Sequence, residues 1–182
     1  QKYAGLRLLL AYQFATPGKK LLFMGAEFGQ FSEWNHDGQI DWFLQGHPNP
    51  QGIQRLLSRL NELYRSRSAL YAQDFGPGGL EWVEANDHEQ SVLSFMRYGA
   101  DFHQLMVVLN FTPQPRHSYR VGVSLPGVWN EVLNTDAAEY GGSNLGNLGG
   151  VHAQEHGCHG RSHSLEVVVP PLGAIFLEPA PK

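Results

Sequence analysis

The chain has 182 residues, of which 42% are hydrophobic and 16% are charged, a composition that can bury a sizeable core and excludes an intrinsically disordered protein. The formal net charge is −4 and the arginines of segment 55–67 are spread along one predicted helix, so we expect no nucleic-acid partner. The single cysteine, Cys158, cannot form an internal disulfide, which favours a cytoplasmic protein, and no apolar run reaches the length of a membrane span.

The first predicted element is a helix over residues 2–15. Its apolar residues cover most of the helix circumference, so we expect the helix to be buried on most sides. Thr16-Pro17-Gly18 ends the helix. The short apolar run that follows, Lys20–Met24, predicts a buried parallel strand.

A loop rich in aromatic, acidic and amide side chains follows this strand, over residues 25–42. In α/β barrels the loop after each strand contributes to the active-site face. Rings beside carboxylates and amides suit a sugar, which offers C–H faces for stacking and hydroxyl groups for hydrogen bonding. We therefore take three residues of this loop as candidate substrate-binding residues: Glu27, Trp34 and Asn35.

The loop leads to a second predicted helix, over roughly residues 51–71. Asn49 has the character of an N-cap and Pro50 that of a first helical residue, and the apolar residues between Ile53 and Tyr64 form one stripe. A helix, a strand and a helix in this order are typical of the last units of a (β/α)8 barrel. Residues 1–73 are predicted to be such a fragment, which cannot close a barrel alone.

From residue 74 onwards the pattern changes to short strands separated by turns. Alternating β-rich runs and Gly, Pro, Asn and Asp breaks predict an all-β antiparallel sandwich domain over residues 74–182. The stretch 136–163, rich in Gly and Asn, is predicted to be a long structured loop. The predicted strands are Leu80–Ala85, Ser91–Tyr98, His103–Phe111, Ser118–Val123, Val128–Asn134, Ser164–Val169 and Ala174–Leu177.

Five separated segments resemble the glycogen (1,4-α-glucan) branching enzymes of the α-amylase superfamily. Two lie in the predicted barrel part, PGKKLLFMGAEFGQ and EWNHDGQIDW, and three in the β part, NFTPQPRHSYRVGV, LNTDAAEYGGSN and HGRSHSLEVVVPPL. Their order makes the resemblance specific, because Gly25-Ala26-Glu27 alone recurs across the superfamily. The resemblance implies the C-terminal portion of such an enzyme, with the end of the catalytic barrel at 1–73 and a small all-β domain at 74–182.

The resemblance also implies an activity for the parent enzyme. Branching enzymes cleave an α-1,4-linked glucan and attach the piece to a 6-hydroxyl as an α-1,6 branch. Such retaining chemistry uses two carboxyl groups about 5 Å apart, which the superfamily carries on strands four, five and seven of the barrel. Those strands would precede this chain, so we expect no catalytic residue in it, inactivity alone, α-glucan (glycogen or amylose) as the substrate, and the missing N-terminal barrel portion as a partner.

Other interpretations of the loop residues stay open. Glu27 is an alternative candidate for holding the loop by hydrogen bonds, and Trp34 for packing the loop against the barrel rim. The loop acids are not assigned as a catalytic pair, since they all follow one strand while the family draws its acids from several. These acids are Glu27, Glu33, Asp37 and Asp41.

Histidines and Cys158 form a metal-like cluster in the segment 152–163. Structural zinc requires three or four N or S ligands in short paired spacings, whereas these residues lie in a glycine-rich stretch, so we expect loop hydrogen bonding, no metal and no cofactor. In the β part, three aromatic residues are candidates either for glucan stacking or for the core, and the core is favoured for the tryptophans. They are Trp82, Trp129 and Tyr140.

Two alternatives to the enzyme fragment are carried forward. One is a free-standing glucan-binding β-sandwich protein, in which residues 74–182 would bind alone. The other is a debranching or trehalose-forming relative, which should differ at EWNHD and HGRSHSL. Because a truncated barrel exposes apolar surface, we also expect residues 1–45 to self-associate, swap between chains or be poorly ordered.

Overall fold

The structure, a computed structural model, describes residues 1–181 apart from the side chain of Asp101. Lys182, the last residue of the predicted β domain, lies outside the described residues. Within this range two α-helices precede eight strands: α1 (Lys2–Ala15), α2 (Pro48–Ser66), β1 (Leu80–Asp87), β2 (Val92–Tyr98), β3 (Gln104–Asn110), β4 (Arg116–Val123), β5 (Val128–Asn134), β6 (Gly150–His152), β7 (His163–Val169) and β8 (Gly173–Pro179).

The strands form two antiparallel sheets. Six of them make one sheet in the order β1-β2-β3-β8-β5-β6, and β4 pairs with β7 in a second, two-stranded sheet. All seven predicted strands are present, so the prediction of an all-β antiparallel domain is confirmed. The short strand β6 was not predicted, because three residues inside a glycine-rich stretch carry too little pattern to stand out. The rest of 136–163 is mainly loop, as expected.

The six-stranded sheet buries both of its faces. Along β2, Leu93 and Phe95 belong to a core shared with α1 and α2, while Val92 and Met96 belong to a core shared with β4 and β7. This split follows from the strand period, since successive side chains point to opposite faces. Helices, large sheet and small sheet are therefore stacked as three layers.

The aromatic residues of the β domain divide between core and surface. The side chain of Trp129 is completely buried between the two sheets, and Tyr140 is buried against the helical layer. Trp82 is 47% exposed at the sheet edge, with its ring edge-on to Phe95 at 5.4 Å between centroids. Of the three, Trp82 alone is exposed in the described chain.

The prediction of a strand at Lys20–Met24 is wrong. This segment is irregular, and Leu21 and Phe23 are 77% and 61% exposed. A strand requires a neighbour whose backbone groups complete its hydrogen bonds. The described chain provides no such neighbour here, because every strand of both sheets comes from residues 80–179.

The boundaries of the second helix also differ from the prediction. Helix α2 begins three residues earlier, with His47 as N-cap and Pro48 in the first turn, and it ends at Ser66 because Arg67 adopts an extended conformation. Residues 68–70 form a separate 3-10 turn. Pro48 and Pro50 carry the same helix-start signal, and sequence alone did not show which of the two opens the helix.

Two buried arginines attach the helical layer to the β domain. Arg7 of α1 lies 3.6 Å from Asp136 and donates to the carbonyl of Tyr140 at 3.4 Å. Arg97 of β2 is fully buried and donates from Nη2 to Asp74 Oδ1 at 2.8 Å. Its other nitrogens donate to backbone carbonyls of Ala15, at the end of α1, and Gly79. The end of α1 is therefore hydrogen-bonded directly to the sheet.

A third link joins the end of α2 to β8 through Glu178. Arg67 donates to both oxygens of this carboxylate, at 2.8 and 2.9 Å, and His103 Nε2 lies 3.3 Å away. Burial alone would raise the pKa of Glu178, but the hydrogen bonds and charges of His103 and Arg67 outweigh burial and lower this pKa to about 2. The ionised carboxylate is thus the form that stabilises the fold.

We predict that this link makes stability depend on pH in the acid range. Because the pKa of Glu178 is lower in the folded than in the unfolded state, its contribution is complete above the ordinary value of 4.5 and declines as the pH falls towards about 2. Glu178→Gln should reduce the free energy of unfolding by about 1–3 kcal/mol at neutral pH. Urea titrations should show this difference shrinking between pH 4.5 and pH 2. A difference that is constant with pH would contradict the assignment.

Candidate functional site

The aromatic loop, residues 25–42, begins with a tight turn made by two glycines. Gly25 and Gly29 have positive φ angles of 84° and 70° and flank a 3-10 turn, Ala26–Phe28. These φ values favour glycine, and a Cβ on Gly25 would also lie 2.6 Å from Oε1 of Gln30. The turn buries the ring of Phe28 completely, which anchors the start of the loop to the rest of the chain.

Hydrogen bonds across the loop hold its two ends together. The backbone N–H of Asp41 donates to Gln30 Oε1 at 2.9 Å, and Ser32 Oγ donates to Asp41 Oδ2 at 2.9 Å. Gln30 Nε2 donates to the carbonyl of Ser32 at 3.1 Å. Residues 33–40 therefore form an exposed loop whose two ends are joined by these hydrogen bonds.

Trp34 lies at the surface of this exposed loop segment and is 56% exposed. Its ring is edge-on to Phe23, with 5.7 Å between centroids, and lies 5.9 Å from the imidazole of His36. Sequence reasoning missed Phe23 as part of this surface, because it placed Phe23 inside a buried strand. A large aromatic residue two positions before the glycine turn was the available signal.

Asn35 and Glu27 occupy different positions in the loop. Asn35 Oδ1 accepts from the N–H of Asp37 at 3.0 Å, and its carbonyl accepts from Gly38, so Asn35 builds the turn at the tip. Asn35 itself is exposed. Glu27 is half-buried in the 3-10 turn, and within residues 1–181 its carboxylate has no hydrogen-bond partner. The structure thus brings Trp34 and Asn35 together and sets Glu27 at the loop base.

An open cavity of about 440 Å³ adjoins the loop on the side of α1. Tyr3 of α1 is edge-on to Phe31 at 5.9 Å between ring centroids, and Lys2 Nζ lies 6.0 Å from the same ring. Met24 and Gly25 complete the wall opposite the helix. Aromatic and apolar side chains line the cavity together with Lys2, Gln30 and Ser32, and such a mixed lining is common in small-ligand sites.

The histidines of 152–163 are used for loop contacts. His159 Nδ1 accepts from the backbone N–H of Gly122 at 3.2 Å, and its Nε2 lies 3.7 Å from Glu84. His163 Nδ1 is paired with Ser162 Oγ at 2.8 Å. Among the residues that the structure describes, no three His, Cys, Asp or Glu side chains are placed to hold a metal ion.

None of the described helices combines the length and apolarity that crossing a bilayer requires.

The fold is that of an antiparallel all-β domain with two sheets and a helical layer on one face of the larger sheet. The chain belongs to the family described as "Alpha amylase, C-terminal all-beta domain", whose model matches residues 82–180. The matched segment begins within β1 and ends just after β8, so it coincides with the two sheets.

The chain is also similar over its whole length to curated proteins. It is 53% identical over 179 residues to the 1,4-alpha-glucan branching enzyme GlgB of Aquifex aeolicus (strain VF5), covering 98% of this chain and 28% of that protein. It is 54% identical over 182 residues to the enzyme of the same name from Thiobacillus denitrificans, covering 100% of this chain and 25% of that protein. The chain thus spans about a quarter of the length of the curated relatives it matches.

Solved structures share the fold at low sequence identity. The catalytic module of the pneumococcal glycogen-degrading virulence factor SpuA superposes with a TM-score of 0.65 at 13% identity, covering 99% of this chain and 32% of that one. The Group B Streptococcus pullulanase SAP gives 0.64 at 13% identity, covering 98% and 28%. At such identities the likeness concerns the fold alone.

Proposed function

We propose that this chain is the C-terminal part of a 1,4-α-glucan branching enzyme, which cuts an α-1,4-linked glucan and transfers the piece to a 6-hydroxyl. The observation that carries the proposal is identity of about one half to branching enzymes across the entire chain, loop 25–42 included. A binding module alone would not account for similarity over residues 1–73. The whole enzyme's glycosyltransferase activity and its α-glucan substrate belong to the same proposal.

The organisation we propose has two parts. Residues 1–73 form the end of a (β/α)8 barrel, and residues 74–182 form the C-terminal β domain. Two observations support the first part: α1 and α2 lie side by side, and the segment 19–45 leaves large apolar groups exposed, as expected of a surface that another part of a barrel covers. We also propose a cytoplasmic location, because the free thiol of Cys158 fits a reducing compartment.

Within this enzyme, Trp34, Asn35 and Glu27 contact the glucan while the catalytic carboxylates come from the N-terminal barrel portion. Exposure of the Trp34 ring supports a stacking role, since a sugar presents its C–H face to an aromatic surface. The exposed side chain of Asn35, the next residue, offers amide hydrogen-bond donors. Glu27 lies at the loop base with an unpaired carboxylate, which can accept from a sugar hydroxyl.

The test is Trp34→Ala in the longer polypeptide that the proposal requires. We expect branching of amylose, followed by the appearance of α-1,6 anomeric signals in NMR spectra, to fall about tenfold at low glucan concentration, because a stacking surface is lost. Phe102→Ala is the matched control, since this ring is 93% exposed and lies at the β2–β3 turn. The 182-residue chain alone should produce no branches.

Three results would count against the proposal. Branching by the isolated chain would place catalytic groups within it. Equal rates and glucan affinities for wild type and Trp34→Ala would remove Trp34 from the site. A longer polypeptide that leaves amylose linear would overturn the branching activity itself.

We further propose that the chain alone self-associates through the segment 19–45. Leu21, Phe23 and Phe43 are 77%, 61% and 70% exposed there, whereas α1 is largely buried against α2 and the sheet. Light scattering should give a mass above that of a single chain, and Leu21→Ser with Phe23→Ser should reduce it. Leu148→Ser, which changes a fully exposed residue elsewhere, is the control. A monodisperse single chain that binds no hydrophobic dye would contradict this prediction.

A further inference from the structure

Two cavities lie at the β1–β2 end of the large sheet. One, of about 590 Å³, is lined by Ala85, Asn86, His88, Leu93 and Phe111. The other, of about 360 Å³, is lined mainly by polar residues, among them Glu84, Gln90, His117 and Arg120. Asp87 lines both cavities. The first lies on the helix side of the sheet, with Leu93 and Phe111, and the second on the side of β4, with Tyr119. Neither shares a residue with the cavity beside loop 25–42.

The first cavity has an oriented aromatic surface. Phe111 is 41% exposed, and its ring packs edge-on against Tyr12 with 6.3 Å between centroids and 86° between planes. The backbone N–H of Phe111 donates to the carbonyl of Ser91 at 3.1 Å, which holds this residue against the hairpin. Leu93 and the partly exposed ring of Phe111 both line this cavity.

Polar side chains, those of Asn86 and His88, also line this cavity. His88 Nδ1 lies 2.9 Å from the carbonyl oxygen of Asn86, which can only accept, so Nδ1 carries the proton and Nε2 of the neutral ring is an acceptor. The side-chain amide of exposed Asn86 adds one acceptor and two donor hydrogens. Apolar side chains beside such polar groups match a ring that has a C–H face and hydroxyl edges.

The charged side chains of Asp87 and Arg120 already have hydrogen-bond partners within the chain. Asp87 accepts from Gln90 N–H through Oδ1 at 3.1 Å and from the Tyr119 hydroxyl through Oδ2 at 2.9 Å. In the second cavity, Arg120 lies 2.6 Å from Glu166 and donates to Ser164. A charged ligand would have to displace these partners, whereas a neutral polyhydroxy ligand would not.

We propose that the first of these hairpin-end cavities, lined by Asn86, His88 and Phe111, binds a linear α-glucan chain, with one sugar ring stacked on Phe111. The α-glucan class rests on the proposed function, while the ring-stacking geometry rests on the cavity itself. The site would hold a glucan on the β domain, separately from the loop that contains Trp34.

The experiment uses the 182-residue chain, labelled with ¹⁵N, and maltoheptaose as the probe. We expect amide shifts at Asn86, His88 and Phe111, and a loss of affinity of about tenfold in Phe111→Ala. Phe102→Ala, at the opposite end of β2 and β3, should bind as wild type. Asn86→Ala changes only an exposed side chain, so weaker binding there cannot be ascribed to misfolding.

The outcomes separate this inference from the branching proposal. Shifts confined to other residues, or wild-type affinity in both Phe111→Ala and Asn86→Ala, overturn the hairpin-end site and leave the branching assay untouched. Equal binding of cellohexaose, whose β linkages give a straight chain, overturns the α-glucan class. If the longer polypeptide fails to branch amylose while maltoheptaose still shifts these amides, the proposed branching activity is wrong and the hairpin-end binding site is retained.

Discussion

Asp74→Asn will lower the free energy of unfolding by about 3–5 kcal/mol, because it leaves the buried guanidinium of Arg97 without a counter-charge. The side chains of this pair are 0% and 2% exposed, and the Arg97 Nη2 to Asp74 Oδ1 distance is 2.8 Å. Asparagine keeps the size of the residue but not its charge. The loss should also loosen the end of α1, since Arg97 donates to the carbonyl of Ala15.

Urea unfolding at neutral pH measures this effect, and two further variants calibrate it. Glu62→Gln breaks an ion pair with Arg59 at 2.8 Å whose side chains are 65% and 32% exposed, and it should cost about 0–1 kcal/mol. Arg97→Met combined with Asp74→Asn should recover part of the loss, because no buried charge then remains. If Asp74→Asn proves as mild as Glu62→Gln, Arg97 does not depend on Asp74.

Gly52→Ala is expected to destabilise the chain by about 2–3 kcal/mol through overpacking, although alanine is the better helix former. A Cβ on Gly52 would lie 2.4 Å from the carbonyl oxygen of Tyr140. That backbone cannot easily move away, because Arg7 donates to Tyr140 O and Arg55 donates to Glu139 O. Helix α2 would therefore shift relative to the β domain.

The matched control for this prediction is Gly5→Ala in α1. No atom lies within 4 Å of a Cβ built on Gly5, so only the helix propensity changes and stability should rise by about 0.5–1 kcal/mol. Thermal and urea unfolding of the two variants should give changes of opposite sign. Stabilisation by Gly52→Ala would show that α2 and the Tyr140 turn do not touch as closely as described.

Much of the fold was predictable because its signals are local. Helix α1 was placed within a residue by its apolar content and the Thr16-Pro17-Gly18 stop. The seven longer strands were found from β-rich runs bounded by turn residues, and their antiparallel pairing follows. The strand predicted at Lys20–Met24 is absent, since an apolar run becomes a strand only where another strand pairs with it, and the described chain supplies none there.

The candidate site was predictable in part for a similar reason. Residue types in loop 25–42 marked Trp34 and Asn35 as sugar-contacting candidates. The ring contact between Trp34 and Phe23 depends on how the turn at Gly25 and Gly29 folds the chain back. The periodicity of the sequence does not reveal such a turn. The hairpin-end cavities were missed altogether, because Asn86 and Phe111 come together only through the pairing of β1, β2 and β3.

The amino-acid order alone determined both helices and the seven longer strands to within a few residues, which loop carries rings beside amides, and which family the motifs resemble. These properties depend on neighbouring residues and on their spacing. Only the tertiary structure decided that the large sheet is buried on both faces, that Arg97 connects Ala15 to Asp74, and that Phe111 faces an open cavity. Such contacts join residues far apart in the chain, and their energies arise from burial and pairing that exist only after the layers have assembled.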